Sequence, residues 1–349
     1  MTFYECNGLE CAYVQTWEVW LMNFKSIVGH EDIIRHFKSS IEMNKVGHAY
    51  IIAGEPDSGK KMLSRAFATT LQCEEGGVEP CGECQSCRQM VSGNQPDVIM
   101  LEPAKEGTIS VDDIREQVVD SICIKPYKSR YKIYIVPNAQ NMTVQAQNAL
   151  LKTIEEPPAY GIVLLLTTNV DKMLPTVVSR CIVLNTKPIR ERDMLGYLEK
   201  HMGISEEKAY FCLDFAQGNL GKAIKLATNE EYSQVVDSVV STLKNIQNMD
   251  ADDLAKAVSD IEQFKMSLDD YMDLMMMWYR DVLMFKVTGN IDKLLFKGEY
   301  SSLKNQAKLL SYKTIEDKIN AIEKAKRRLD VNANFDITIE LLLLTLKES

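Results

Sequence analysis

The sequence predicts an α/β fold: a P-loop domain built on a mostly parallel sheet, carrying an inserted four-cysteine knuckle and followed by helical domains. Three observations carry that expectation. Gly54-Glu55-Pro56-Asp57-Ser58-Gly59-Lys60-Lys61 stands between an apolar run, Ala49 to Ala53, and a segment with helical spacing, Met62 to Ala68, so the order is strand, glycine loop, helix. Further short apolar runs alternate with helical patterns up to about Thr186, which implies parallel strands covered on both faces. From Ile189 onward the periodicity is helical throughout.

At 349 residues the chain is longer than one core usually serves. The expected division is a non-native or disordered extension at 1–21, a P-loop domain at 22–186 with its knuckle at 73–87, a small helical domain at 187–229 and a larger helical domain at 230–349. The extension carries Cys6, Cys11, Trp17 and Trp20 without periodicity, and a coherent segment begins at Met22, the expected natural start. Acidic residues outnumber basic ones 49 to 40, a net charge of −9, which argues against a stand-alone nucleic-acid binder and favours a protein partner. No apolar run reaches the roughly 18 residues of a membrane span and no signal pattern opens the chain, so a cytoplasmic protein is expected.

In the first domain, Ile33, Ile34, Phe37 and Ile41 line one helical face, and His30 and His48 read as turn or packing residues beside glycines. The glycine loop aims N–H groups and a helix N-terminus at phosphate, with Lys60 placed to reach the outer phosphates. Gly54, Ser58, Gly59, Lys60 and Lys61 are the candidate nucleotide-binding residues. The last motif position calls for a Ser or Thr hydroxyl on Mg²⁺, and Lys61 offers donors but no lone pair. ATP or ADP binding is therefore expected to be weak.

Cys73, Cys81, Cys84 and Cys87 follow with the overlapping C-x2-C steps that let thiolates converge on one ion. Four thiolates fill a tetrahedral shell, so a structural zinc is expected; an iron–sulfur cluster or a redox pair are the alternatives. Asp97 to Leu101 reads as a second buried strand. Ser110 with Asp113 resembles an N-cap pair opening a helix lined by Val111, Ile114, Val118 and Ile122. The third strand, Ile133 to Val136, runs into Pro137 and Asn138, where a nucleotide hydrolase needs an acidic pair for Mg²⁺ and water. A helix from about Thr143 to Glu155 stops at Pro157-Pro158, and strands at Ile162 to Leu166 and Ile182 to Leu184 complete the sheet.

In the helical remainder, Gly218-Asn219-Leu220-Gly221-Lys222 breaks two helices. Tyr271, Leu274, Met275, Trp278, Val282 and Phe285 form one long face, Met275-Met276-Met277 reads as core packing, and the basic run Lys324, Lys326, Arg327, Arg328 reads as a solvated face.

Taken together, Gly47-His48-Ala49-Tyr50, the loop ending Gly59-Lys60-Lys61, the four cysteines, Asn148-Ala149-Leu150-Leu151-Lys152-Thr153-Ile154-Glu155-Glu156-Pro157-Pro158 and Ser179-Arg180-Cys181 resemble the clamp-loader subunits of bacterial DNA polymerase III, in the AAA+ family, and among them the delta-prime type. The helical domains match only in character and order. The resemblance implies a RecA-like AAA+ domain, a helical lid at 187–229 and a helical collar at 230–349 that holds a hetero-pentamer together. It implies gamma/tau ATPase and delta subunits as partners, loading of a sliding clamp onto primed DNA, and membership of the polymerase holoenzyme. It places Arg180 as an arginine finger acting in trans on a neighbour's nucleotide, and adds Lys222 to the candidate nucleotide-binding residues, where an active relative carries a phosphate-sensing Arg and a lysine meets phosphate as a point charge without the bidentate fork. The departures at Lys61, Pro137 and Asn138 imply a subunit with negligible hydrolysis of its own. The rivals are a gamma/tau-type ATPase, a hydrolase whose metal ligands come from Asp97 or Glu155, and a zinc-stabilised nucleic-acid binder.

Overall fold

A computed structural model of the chain describes residues 23–105, 107–204, 206–228, 230–264, 268–291, 294–330 and 333–348; the extension expected at 1–21 lies outside them. The chain divides into two compact units. One runs to Tyr197 and includes Gly218–Gly221; the other comprises Leu198–Gln217 and the chain from Lys222 onward.

The first unit is built on a five-stranded sheet of β1 (Ala49–Ala53), β2 (Val98–Met100), β3 (Lys132–Val136), β4 (Gly161–Thr167) and β5 (Ile182–Asn185). The strand order is β2-β3-β4-β1-β5, and every pairing is parallel. Side-chain alternation divides two cores between the faces. Tyr50, Ile52, Ile133, Ile135, Ile162 and Leu164 face α1 (Glu31–Glu42) and α2 (Lys60–Gln72), where Phe37 stacks on Phe67 at 4.0 Å between centroids. Ile51, Tyr134, Val136, Val163 and Leu165 pack with residues of α4 (Val111–Ile114) and α6 (Val144–Glu155). Between β1 and β2 the chain makes α3 (Gln85–Val91). A π-helical stretch, Arg115–Val119, joins α4 to α5 (Asp120–Ile122).

The expected end signals act as the residue chemistry requires. Ser110 and Asp113 form a reciprocal capping box, and the Thr143 side chain accepts from the Ala146 N–H. One expectation needs correction: β2 is not a buried strand. It is the sheet's edge, where Val98 and Ile99 are half-buried and Met100 is exposed, because only β3 flanks it. The unit continues through α7 (Pro175–Val178) and α8 (Glu191–Tyr197).

The second unit is helical: α9 (Glu206–Ala216), α10 (Leu220–Thr228, from Lys222 onward), α11 (Glu230–Asn245), α12 (Ala251–Glu262), α13 (Leu268–Thr288), α14 (Tyr300–Leu309), α15 (Tyr312–Asp330) and α16 (Phe335–Lys347). Its core centres on α13, where Tyr271, Leu274, Met275, Trp278 and Val282 are buried. Several polar groups drawn inside are paired, as burial favours. Trp278 Nε1 donates to Gln306 Oε1 at 2.9 Å, and Gln306 Nε2 donates to the Leu243 carbonyl at 2.8 Å. Asp281 Oδ2 accepts from the Leu295 and Phe296 N–H groups at 2.6 and 2.9 Å. The Lys318 ammonium donates to the Leu346 and Glu348 carbonyls, satisfying acceptors that the end of α16 leaves without helical partners. Among the described residues no helix is long and apolar enough to cross a membrane.

Candidate phosphate loop and metal centre

Parallel strands bring all their C-terminal ends to one edge of the sheet, where ligands of such sheets bind. Here that edge carries the glycine loop after β1, Asn138 after β3, Thr168 and Asn169 after β4, and Thr186 after β5. Gly54 N donates to the Thr167 carbonyl at 3.1 Å, which sets where the loop leaves the sheet. A Cβ at position 54 would run into Thr186 Oγ1, and Thr186 Oγ1 in turn lies 3.2 Å from Ser58 Oγ, so glycine is required by close approach. Asp57 and Gly59 both take left-handed backbone conformations, φ 58° and 83°, and Gly59 is the N-cap of α2.

Lys60 folds back over the loop. Its Nζ donates to the Gly54 carbonyl at 2.7 Å and to the Glu55 carbonyl. Burial pulls the amine down to about 8, against the raising influence of Asp57 and Glu55. Lys61, by contrast, is exposed. His30 packs beside the loop: it is 8% exposed, and its Nδ1 is buried without a hydrogen-bond partner. Burial holds its imidazole below the usual value, against the raising influence of a hydrogen bond that the ring donates to the Ser58 backbone and of the charge of Glu31. Its φ of 58° agrees with the turn role expected of it.

Segment 218–221 was legible in the sequence only as a helix break, and the structure brings it to this loop. Asn219 Nδ2 donates to the Pro56 carbonyl at 2.8 Å, and a Cβ at position 221 would drive into the Asp57 carbonyl oxygen. The glycines at 218 and 221 were the only sequence signal.

At the position expected to carry an acidic pair, β3 ends into Pro137 and an exposed Asn138 in the left-handed conformation, φ 51°. Neither rival ligand stands in for that pair. Asp97 precedes β2 at the opposite edge of the sheet, and its carboxylate accepts from the N–H groups of Tyr127, Lys128 and Ser129 at 2.6, 3.0 and 2.9 Å. Burial pushes this carboxyl up, but the three donors outweigh it and hold it below the usual range. Glu155 ends α6 and pairs with Arg180, Nε to Oε1 2.8 Å. Arg180 also donates to the Thr176 carbonyl at 2.9 Å and stands before β5, again at the edge opposite the loop. Lys222 pairs with Asp273 of its own unit at 3.1 Å.

The four sulfur atoms of Cys73, Cys81, Cys84 and Cys87 all lie within 4.8 Å of one another, the Cys81 and Cys87 pair at 4.0 Å. A tetrahedral ion with metal–sulfur bonds of about 2.3 Å needs sulfurs roughly 3.8 Å apart, so the cluster fits one metal. Backbone N–H groups already point at the sulfurs as they would at thiolates: Cys81 N to Cys73 Sγ 3.3 Å, Cys84 N to Cys81 Sγ 3.3 Å, Cys87 N to Cys84 Sγ 3.4 Å. The knuckle is tied to its unit through Lys128, whose ammonium donates to Glu74 and Gln85 at 2.7 Å each, and through Glu79, which meets Lys38 at 2.6 Å.

Residues 29–190 match the protein family described as DNA polymerase III, delta subunit. The DNA polymerase III subunit delta' of Bacillus subtilis is 28% identical over 320 residues, 90% of this chain and 95% of that one. The tau subunit of the same organism is 27% identical over 296 residues, 78% of this chain but 52% of the longer tau. A solved structure of a DNA polymerase III gamma subunit-related protein from Thermotoga maritima aligns over 91% of this chain and 98% of its own, with 22% identity and a TM-score of 0.44. The chain is thus a relative of the clamp-loader subunits of bacterial DNA polymerase III, with relatives of both delta-prime and tau/gamma type.

Proposed function

We propose that this clamp-loader subunit is of the delta-prime type: a non-hydrolysing member of a hetero-pentamer with gamma/tau ATPase and delta subunits, which loads a sliding clamp onto primed DNA in the cytoplasm. The observation that carries the proposal is chemical. The positions that would handle Mg²⁺ hold Lys61, Pro137 and Asn138, which offer neither the motif's hydroxyl nor an acidic pair. Phosphoryl transfer depends on placing the metal and spreading charge, so losing both parts together removes hydrolysis while Lys60 and the loop amides keep a weak hold on phosphate. The matched tau relative favours a second reading, a gamma/tau-type ATPase, but that reading requires the missing groups.

The cysteine cluster is proposed to hold one structural zinc. With four thiolates no position is left open for substrate, and the ion's contribution is to fix the knuckle. Arg180 is proposed to act on a neighbour's nucleotide. Ile182 pairs with Tyr50 while the loop begins after Ala53, so at roughly 3.3 Å per residue the start of β5 and this chain's own loop are on the order of 13 Å apart along the sheet. That separation supports a role in trans.

Two measurements test the proposal. Purified chain is expected to show only background ATP turnover and to co-purify with the ATPase and delta subunits of its organism. Turnover typical of a working ATPase, abolished by Lys60→Ala, would overturn it.

A further inference from the structure

We infer that Asn219 and Gly221 are positioning residues that strap the glycine loop in a closed form and so hold nucleotide affinity down. The inference rests on reading 54–61 as a phosphate cradle. The loop is gripped on two sides. At one end Thr186 fills the space beside Gly54 and meets Ser58 at 3.2 Å. At its crest, Asn219, 4% exposed, donates to the Pro56 carbonyl at 2.8 Å and reaches Glu55 Oε2 at 3.5 Å. Gly221 lies so close that a Cβ there would be 2.8 Å from the Asp57 Cβ and closer still to its carbonyl oxygen.

The strap is itself anchored. Ile189 N donates to the Gly218 carbonyl at 2.8 Å, and Gly218 takes φ 88° with Pro188 where its Cβ would be. A side chain at 218 or 221 would push the segment off the loop, and an Asn at 219 supplies a donor to a loop carbonyl. In this closed form the Lys60 ammonium is spent on the carbonyls of Gly54 and Glu55. A phosphate must win that ammonium from two acceptors in a loop whose crest is held by Asn219 and crowded by Gly221. An affinity measured against a mostly closed population is reduced by the fraction that is open, so releasing the strap raises affinity.

The sign of that change separates a strap from an ordinary structural contact, whose loss would weaken binding. Asn219→Ala and Gly221→Ala in the full chain are read by titration with a fluorescent ADP analogue and by amide hydrogen exchange at 54–59. Losing one net hydrogen bond should tighten ADP by about 5-fold, with faster exchange across the loop in both variants. Unchanged exchange at 54–59, or weaker ADP binding by a folded variant, overturns the strap. Lys60→Ala is measured in parallel. If neither it nor the parent chain binds ADP, the cradle reading fails, while the exchange rates still decide the strap.

Discussion

The Lys222 ammonium lies 3.1 Å from one oxygen of the Asp273 carboxylate, and Lys326 takes the other oxygen at 2.7 Å. Helices α10, α13 and α15 are therefore joined through one carboxylate, with Lys222 and Asp273 only 20% and 18% exposed. A cation held this way already has its counter-charge. Lys222→Ala should lower stability in urea by about 1–2 kcal/mol, between the values of exposed and fully buried pairs, and leave ADP affinity unchanged. Loss of ADP binding at intact stability would instead assign Lys222 to the phosphate.

Metal removal gives a second test. The four sulfurs of the knuckle lie within 4.8 Å of one another, a cluster that could hold one metal ion. Metal analysis should return about one zinc per chain, and stripping it with a thiol-reactive mercurial and chelator should lower the melting temperature by on the order of 5 °C. Cys84→Ser should do the same without the reagent. A chain that carries no metal as purified, or a coloured iron cluster, would refute the assignment.

Much of the site was legible because its signals are local. The apolar runs at 49–53 and 133–136 could be read as strands, the Ser110 and Asp113 pair as a cap, and the cysteine spacing as a cluster, since each depends on neighbours along the chain. What stayed hidden depends on distant partners. Nothing near Gly221 announces Asp57, and nothing near Lys222 announces Asp273, 51 residues on. The edge position of β2 was hidden for a related reason: an apolar run marks a strand but does not say how many strands will flank it.

Asp97 illustrates a carboxylate whose work is structural. It is 1% exposed and holds the 127–129 turn through three backbone donors. Since the folded state holds this carboxyl below its unfolded value near 3.8, its contribution is fully present above that value and is lost as pH falls through the folded one. Asp97→Asn keeps one acceptor oxygen but loses the charge, and should cost about 1–3 kcal/mol at pH 7. The difference from the parent chain should shrink as pH drops below about 3.8. A difference that stays constant into acid would mean that packing, not the carboxylate charge, is lost.

Arg180 offers the sharpest test of the proposed function, because its two possible roles leave different traces. In the single chain it pairs with Glu155, both side chains about four-tenths exposed (40% and 44%). An ion pair so open to solvent is worth roughly 0–1 kcal/mol. If that pair were its whole purpose, Arg180→Ala and Glu155→Ala would have equal and small effects on unfolding and none on a neighbour. If the guanidinium instead leaves Glu155 to meet a partner subunit's γ-phosphate, it stabilises charge that develops only in the transition state, a contribution of roughly 10³- to 10⁵-fold in nucleotide hydrolases with such fingers. Arg180→Ala should then fold and assemble normally while sharply lowering ATP turnover by the reconstituted complex. Arg180→Lys should rescue little, since an ammonium lacks the planar fork, and Glu155→Ala should leave turnover near the parent level. Full turnover by a complex carrying Arg180→Ala would exclude the finger.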